Sequence, residues 1–348
     1  MLDPPGTLST MDPDGTGAST LTGSPEAQAS QPVWSPNGQR VAWALQSAGG
    51  FAVITAAPDG YERTSAPIEA GAFYLYWDPT SSRVAYLGSS GSTIEMGVVE
   101  GSHAKALGKG DPFYFSWAPD GVRLIAHVGQ NRLDEITLSG RHTRIATAGP
   151  FDAPIWSGST RIFAIEDGVC PEDCLVSAMG NRMQPIVATP DPVLFAKDPA
   201  SPALAVVQAP GNTYGPLRVA EPAGRDWAFT TVTEEEALAF FWSPAGHKLL
   251  YATFEETPTG PWMRWNVWDG ETSLAFDRFR PSPIYLRDYM PFFEQYGQSQ
   301  TLWSPDGRAF AYPGIVEGRG AGIWVQEVRE DATPVRIADG EVVAWSPV

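Results

Sequence analysis

The sequence predicts an all-β propeller built from four-stranded antiparallel blades, and three observations predict it. A Trp-Ser-Pro-Asp-Gly-like turn recurs along the whole chain; Trp303-Ser304-Pro305-Asp306-Gly307 is its fullest copy, followed by the alternating stretch Arg308-Ala309-Phe310-Ala311-Tyr312. The copies stand at a nearly fixed period, with steps of 43, 40, 39, 41, 45, 61 and 42 residues from Trp34 to Trp345. A period near forty with four short strands per unit is the signature of propeller blades. Finally, the 348 residues include 13 Trp, 11 Tyr and 16 Phe beside 35 Gly and 32 Pro, with no long stretch of helical periodicity. Aromatic side chains suit packed pleated faces, and Gly and Pro suit many turns.

Each repeat begins with an apolar strand that ends at the Trp. Pro then pre-sets φ, Asp bonds its own backbone, and Gly accepts a positive φ, so the chain reverses into a second strand. Clear copies stand at Trp34-Ser35-Pro36-Asn37-Gly38, Trp117-Ala118-Pro119-Asp120-Gly121 and Trp242-Ser243-Pro244-Ala245-Gly246. Weaker ones are Trp77-Asp78-Pro79 and Trp156-Ser157-Gly158, and in Lys197-Asp198-Pro199 a Lys replaces the Trp. The first unit reads as strands near 32–36, 39–46, 51–56 and 61–67, and the third as 113–117, 122–128, 132–138 and 142–147. The seventh reads as 301–304, 308–313, 321–328 and 334–338.

Residues 7–21 match the second half of a unit, whereas Val342-Val343-Ala344-Trp345-Ser346-Pro347 matches only a first strand. Joined, they form one blade shared by both termini, lacking its second strand, and this closure removes a free sheet edge. Seven complete repeats plus the shared blade predict eight blades in one domain over residues 1–348. Seven blades with a docked end are the alternative.

The Trp-Ser-Pro-Asp-Gly-Arg pattern resembles the WD40-like (PD40) repeat of TolB-type β-propellers, across essentially the whole chain. The resemblance implies the fold, a periplasmic or extracellular setting, and ligand binding at the face carrying the second-to-third strand loops. It leaves function open, because the repeat family contains binding proteins, peptidase lids and lyases.

Composition narrows the field. With 23 basic and 40 acidic residues the net charge is −17, which argues against nucleic acid and anionic lipid surfaces as partners. No apolar run is long enough for a transmembrane helix. Chemistry-bearing motifs are sparse. There is no Gly-x-Ser-x-Gly elbow, Walker loop, His-Glu-x-x-His or EF-hand pattern. The four histidines, His103, His127, His142 and His247, fall in different repeats. No catalytic residue, metal ligand or cofactor is therefore assigned. Cys170 and Cys174 flank a hairpin tip. In an oxidising compartment they can form a local disulfide, with free thiols as the alternative and metal disfavoured for want of four ligands.

Two features suggest a binding face. Acidic residues (Glu166, Asp167, Glu172, Asp173, Glu234 to Glu236, Glu255 and Glu256) gather on the loop face. The 61-residue step also contains an aromatic insertion, residues 277–300, in which Ser282 can cap a short helix starting at Pro283 and running to Tyr289. The insertion reads either as a lid burying its own aromatics over the channel or as a platform. As a platform it would present Tyr285, Arg287, Tyr289, Phe292, Phe293 and Tyr296, with Glu255 and Glu256 nearby, to a partner. The expected function is a non-enzymatic protein- or peptide-binding scaffold of the bacterial cell envelope, acting as a monomer. The alternative is a carbohydrate-directed propeller, lectin-like or a polysaccharide lyase or hydrolase.

Overall fold

The computed structural model describes residues 1–348 except 4–5, 24–25, 151, 167, 190, 211–213 and 259; Asp167 of the acidic group lies outside the described residues. The repeated turn forms as its residues dictate. In the fullest copy the Ser304 carbonyl accepts from Gly307 N–H at 2.9 Å. The Ser304 hydroxyl donates to Asp306 Oδ1 at 2.6 Å and accepts from Ala309 N–H at 3.0 Å. Gly307 sits at φ 63°, where a side chain would be strained. In the weaker copy the buried Asp78 carboxylate takes the serine's place, accepting from the backbone N–H groups of Ser82 and Arg83.

Four four-stranded antiparallel sheets cover residues 27–68, 71–110, 113–147 and 155–188. The third unit, Phe113–Trp117, Arg123–Val128, Arg132–Thr137 and His142–Thr147, lies within a residue or so of expectation. From residue 193 onward the units are laced together. Strand Asp226–Trp242 runs out of one sheet, where it pairs with Pro216–Ala223, into the next, where it pairs with Leu249–Glu255. Glu234 to Glu236 therefore lie in a strand and not in a loop. Phe279, Arg280 and Pro281 pair with Val316, Ile315 and Gly314 to join the following unit.

The chain ends meet. Leu2–Asp3 pairs with Thr7–Thr10, and that strand with Ser19–Thr22. Leu2 also bridges Val342, with Leu2 N–H to Val342 O at 3.0 Å and Glu341 N–H to Leu2 O at 2.9 Å. The shared unit thus has a second strand after all, and it is two residues long. So short a strand leaves a cavity of about 280 Å³ lined by Met1, Leu8, Val343 and Trp345 among others.

A girdle of indole hydrogen bonds ties the units together. Trp77 Nε1 donates to Val33 O at 3.2 Å, Trp117 to Tyr76 O at 3.1 Å, Trp242 to Ala196 O at 2.9 Å and Trp303 to Phe241 O at 3.0 Å. In each case the acceptor is the residue just before the Trp position of the preceding unit. The sequence repeat is thereby a physical one: each ring fills the seam between units and pairs its N–H there.

The insertion is helical from Pro283 to Ser299. Ser282 caps it, its hydroxyl accepting from Tyr285 N–H at 3.2 Å and donating to Glu341 O at 2.5 Å. The expected end at Tyr289 is too early, and residues 277–281 belong to the preceding strand, Ser273–Pro281. A π-helical turn, Tyr285–Tyr289, passes through a 3₁₀ turn, Met290–Phe292, into an α-helix, α1, Phe293–Ser299. Pro291, lacking an N–H, cannot continue the regular ladder.

Candidate functional site: the plugged central channel

Helix α1 and the residue that follows it bond to the innermost strands or lead-ins of five successive units, which is possible only if they surround it. The Gln295 side chain accepts from Phe115 N–H at 2.8 Å and donates to Phe115 O at 2.8 Å and to the Tyr74 hydroxyl at 2.9 Å. Tyr296 donates to Phe73 O at 2.9 Å, Gln298 to Pro154 O at 3.2 Å, and the following Gln300 to Pro32 O at 3.0 Å. Glu294 Oε1 accepts from Phe195 N–H at 2.8 Å. The insertion is a plug inside the channel, and its polar side chains replace the water that would otherwise satisfy the inner backbone.

This corrects the platform expectation. Tyr285, Tyr289, Phe293 and Tyr296 are only 4%, 4%, 3% and 7% exposed. Their rings pack inward: Phe293 lies 4.7 Å from Phe240 and Tyr296 lies 5.2 Å from Tyr74 between ring centroids. Helical spacing puts all four on the buried side. Arg287 and Phe292 face outward, with Arg287 forked onto its neighbour Asp288. Glu256 is exposed, and Glu255 is tied to Arg264 at 3.1 Å and Arg278 at 3.0 Å. The hydrogen bond from Arg264, more than either charge, holds the Glu255 carboxyl below its usual range.

On the side of the plug toward the Ser-Pro turns, a cavity of about 420 Å³ stays open. Trp34, Trp77, Trp156, Trp242, Trp345 and Phe241 line it, and α1 forms its floor through Phe293, Glu294 and Gly297. Its acidic and basic lining residues among those described are Glu294 and Lys197, and the Tyr76 hydroxyl, raised to about 12 chiefly by burial, also lines it. Lys197 stands where the repeat has Trp, so that unit has no indole N–H to make the seam bond. Its ammonium donates to Asp198 O at 2.6 Å and to Ser201 O; burial lowers its pKa, opposed by the Asp198 charge.

Glu294 feels the charge of a second carboxyl, Asp152. Burial, then the Asp152 charge, holds Glu294 well above the usual carboxylate range, with the Phe195 N–H pulling the other way. Asp152, 1% exposed, is raised by burial, and its Oδ2 has no hydrogen-bond partner among the described residues. The Tyr114 hydroxyl, raised chiefly by burial, senses both carboxyls. Sequence reasoning missed Glu294 and Asp152 because nothing in the repeat marks them; Lys197 was visible as the one broken Trp. Elsewhere, Cys170 and Cys174 are bonded to each other. Among the described residues no three His, Cys, Asp or Glu side chains converge as metal ligands.

No family model and no curated protein matches the chain. Solved structures do. The β-propeller domain of the Trilobed protease from Pyrococcus furiosus aligns with a TM-score of 0.56 and 13% identity, over 91% of this chain and 99% of that one. An oligogalacturonate lyase in complex with manganese aligns with a TM-score of 0.56 and 13% identity, over 93% and 96%. TolB from Acinetobacter baumannii aligns with a TM-score of 0.43 and 15% identity over 72% of this chain; the match spans 63% of TolB, under two thirds of its length. At such identities the likeness is one of fold: the chain is a β-propeller.

Proposed function

We propose that the chain is a non-enzymatic binding protein that receives an extended segment of a protein or peptide in the mouth of its channel. The observation that carries this is the cavity left when the plug closes the loop end of the channel and leaves the Ser-Pro end open. Its size and its aromatic walls with few polar groups are those of a ligand pocket. The reading moves the binding site away from the acidic loop face. Arg287, Phe292, Glu255 and Glu256 are kept as a secondary contact surface at the loop end. The disulfide supports work in an oxidising compartment such as the cell envelope.

Lys197→Trp tests the reading, because it fills the cavity with the residue the repeat already uses and leaves the scaffold intact. Random peptides selected on the wild-type chain should lose at least tenfold in affinity on K197W, while Arg287→Ala/Phe292→Ala changes affinity less than twofold. Selected peptides that bind wild type and K197W alike would place the site elsewhere.

A further inference from the structure

We infer that the channel recognises a lysine side chain of its partner peptide, its ammonium seated on Glu294 at the cavity floor. The inference rests on the channel being the binding site and deepens that reading. Four observations converge. The walls are aromatic, with five Trp and Phe241 along the path to the floor, and ring faces attract cations. A lysine's four-carbon stem lies well along such walls while its charged end reaches beyond them.

At the floor, Glu294 Oε1 is already engaged by Phe195 N–H, which leaves one oxygen free of that bond. A single oxygen suits an ammonium, a compact point charge, better than the guanidinium fork, which pairs with both oxygens at once. The other charged wall residue, Lys197, is committed to the carbonyls of Asp198 and Ser201, so it offers no free anchor for an anion. Glu294 also feels the charge of Asp152, a buried carboxyl whose Oδ2 has no partner among the described residues. Two carboxyls that raise each other's cost of ionising, with Lys197 tied to backbone carbonyls, form a site that a cation completes.

The titratable groups around Glu294 are Asp152 before the fourth unit and Tyr114 on the third unit's inner strand, with Tyr76 on the second unit's inner strand and Lys197 on the fifth's lining the same cavity. In the empty channel burial favours the protonated acid. An arriving ammonium favours the carboxylate, so binding releases a proton and affinity rises with pH.

The probes are a heptapeptide with one central lysine, its norleucine and arginine twins, and free cadaverine. Binding is followed by quenching of the channel tryptophans, and proton release by calorimetry in two buffers of different ionisation enthalpy. The lysine peptide should bind at least tenfold tighter than the other three, more tightly at pH 8 than at pH 5.5, with a proton released. Glu294→Gln, whose amide oxygen can still accept from Phe195 N–H, should stay folded and lose both the preference and the proton. The inference is overturned if the norleucine or arginine twin or cadaverine matches the lysine peptide. It also fails if E294Q keeps the preference, or if none of the probes binds. Lysine and norleucine peptides that bind equally and are both lost on K197W would sink the ammonium and leave the channel reading standing. Peptides indifferent to K197W would sink the channel reading itself.

Discussion

Trp303 is fully buried, and its indole N–H pairs across a seam with Phe241 O. Trp303→Ala should cost about 3–5 kcal/mol in urea unfolding, because the ring leaves a cavity. Trp303→Phe should cost about 1–3 kcal/mol, chiefly by orphaning a buried carbonyl; a Trp303→Phe chain as stable as wild type would mean that the bond is immaterial. His127, buried among blade residues, gives the pH behaviour at this scale. Burial lowers its pKa from 6.5 to about 4, against hydrogen bonds with the Gln130 and Asp152 backbone. For a base depressed by folding, the stabilisation is complete above its unfolded pKa and is lost as pH falls, since the unfolded chain takes up the proton first. The wild-type chain should therefore lose roughly 3 kcal/mol between pH 6.5 and 4 from this group. Urea midpoints across that window should fall less steeply for His127→Gln.

The plug is the element on which the candidate site depends. Gln295 alone satisfies both backbone groups of Phe115 and touches the Tyr74 hydroxyl. Gln295→Leu keeps the volume and strands those groups, so stability should drop by about 3 kcal/mol. Hydrogen exchange at the Phe115 amide should accelerate beyond that at Leu124, on the neighbouring strand. Exchange rising equally at both positions would show global destabilisation and would count against a local role for the plug. Replacing residues 282–300 by a Gly-Ser linker should lose the cooperative fold, since it removes Tyr285, Tyr289, Phe293 and Tyr296 from the core.

At the scale of the whole molecule, closure joins residues from opposite ends of the sequence. Leu2 is 6% exposed and is the residue through which the N-terminal strands meet Val342. Leu2→Ala should cost about 3 kcal/mol, and amide exchange should rise together at Leu8 and Glu341, whose N–H donates to Leu2 O. A rise at Leu8 alone would mean that the ring does not depend on this contact. The net charge of −17 adds self-repulsion across the molecule, which salt screens.

The repeat made the architecture legible because each copy encodes local physics: a turn that only certain residues make, an alternating strand, and a ring sized for the seam. Strand positions in the third unit, the cap at Ser282 and the meeting of the ends follow from patterns short enough to read along the chain. Lys197 was legible as an exception to the repeat. What the insertion does was not. Its aromatic spacing serves a platform and a plug equally, because helical periodicity says which residues share a side and not what that side meets. Only the ring of inner strands decided that Tyr285, Tyr289, Phe293 and Tyr296 turn inward. Glu294 and Asp152 were invisible for a related reason: they come from segments far apart in sequence, and their burial and mutual repulsion exist only once the channel encloses them.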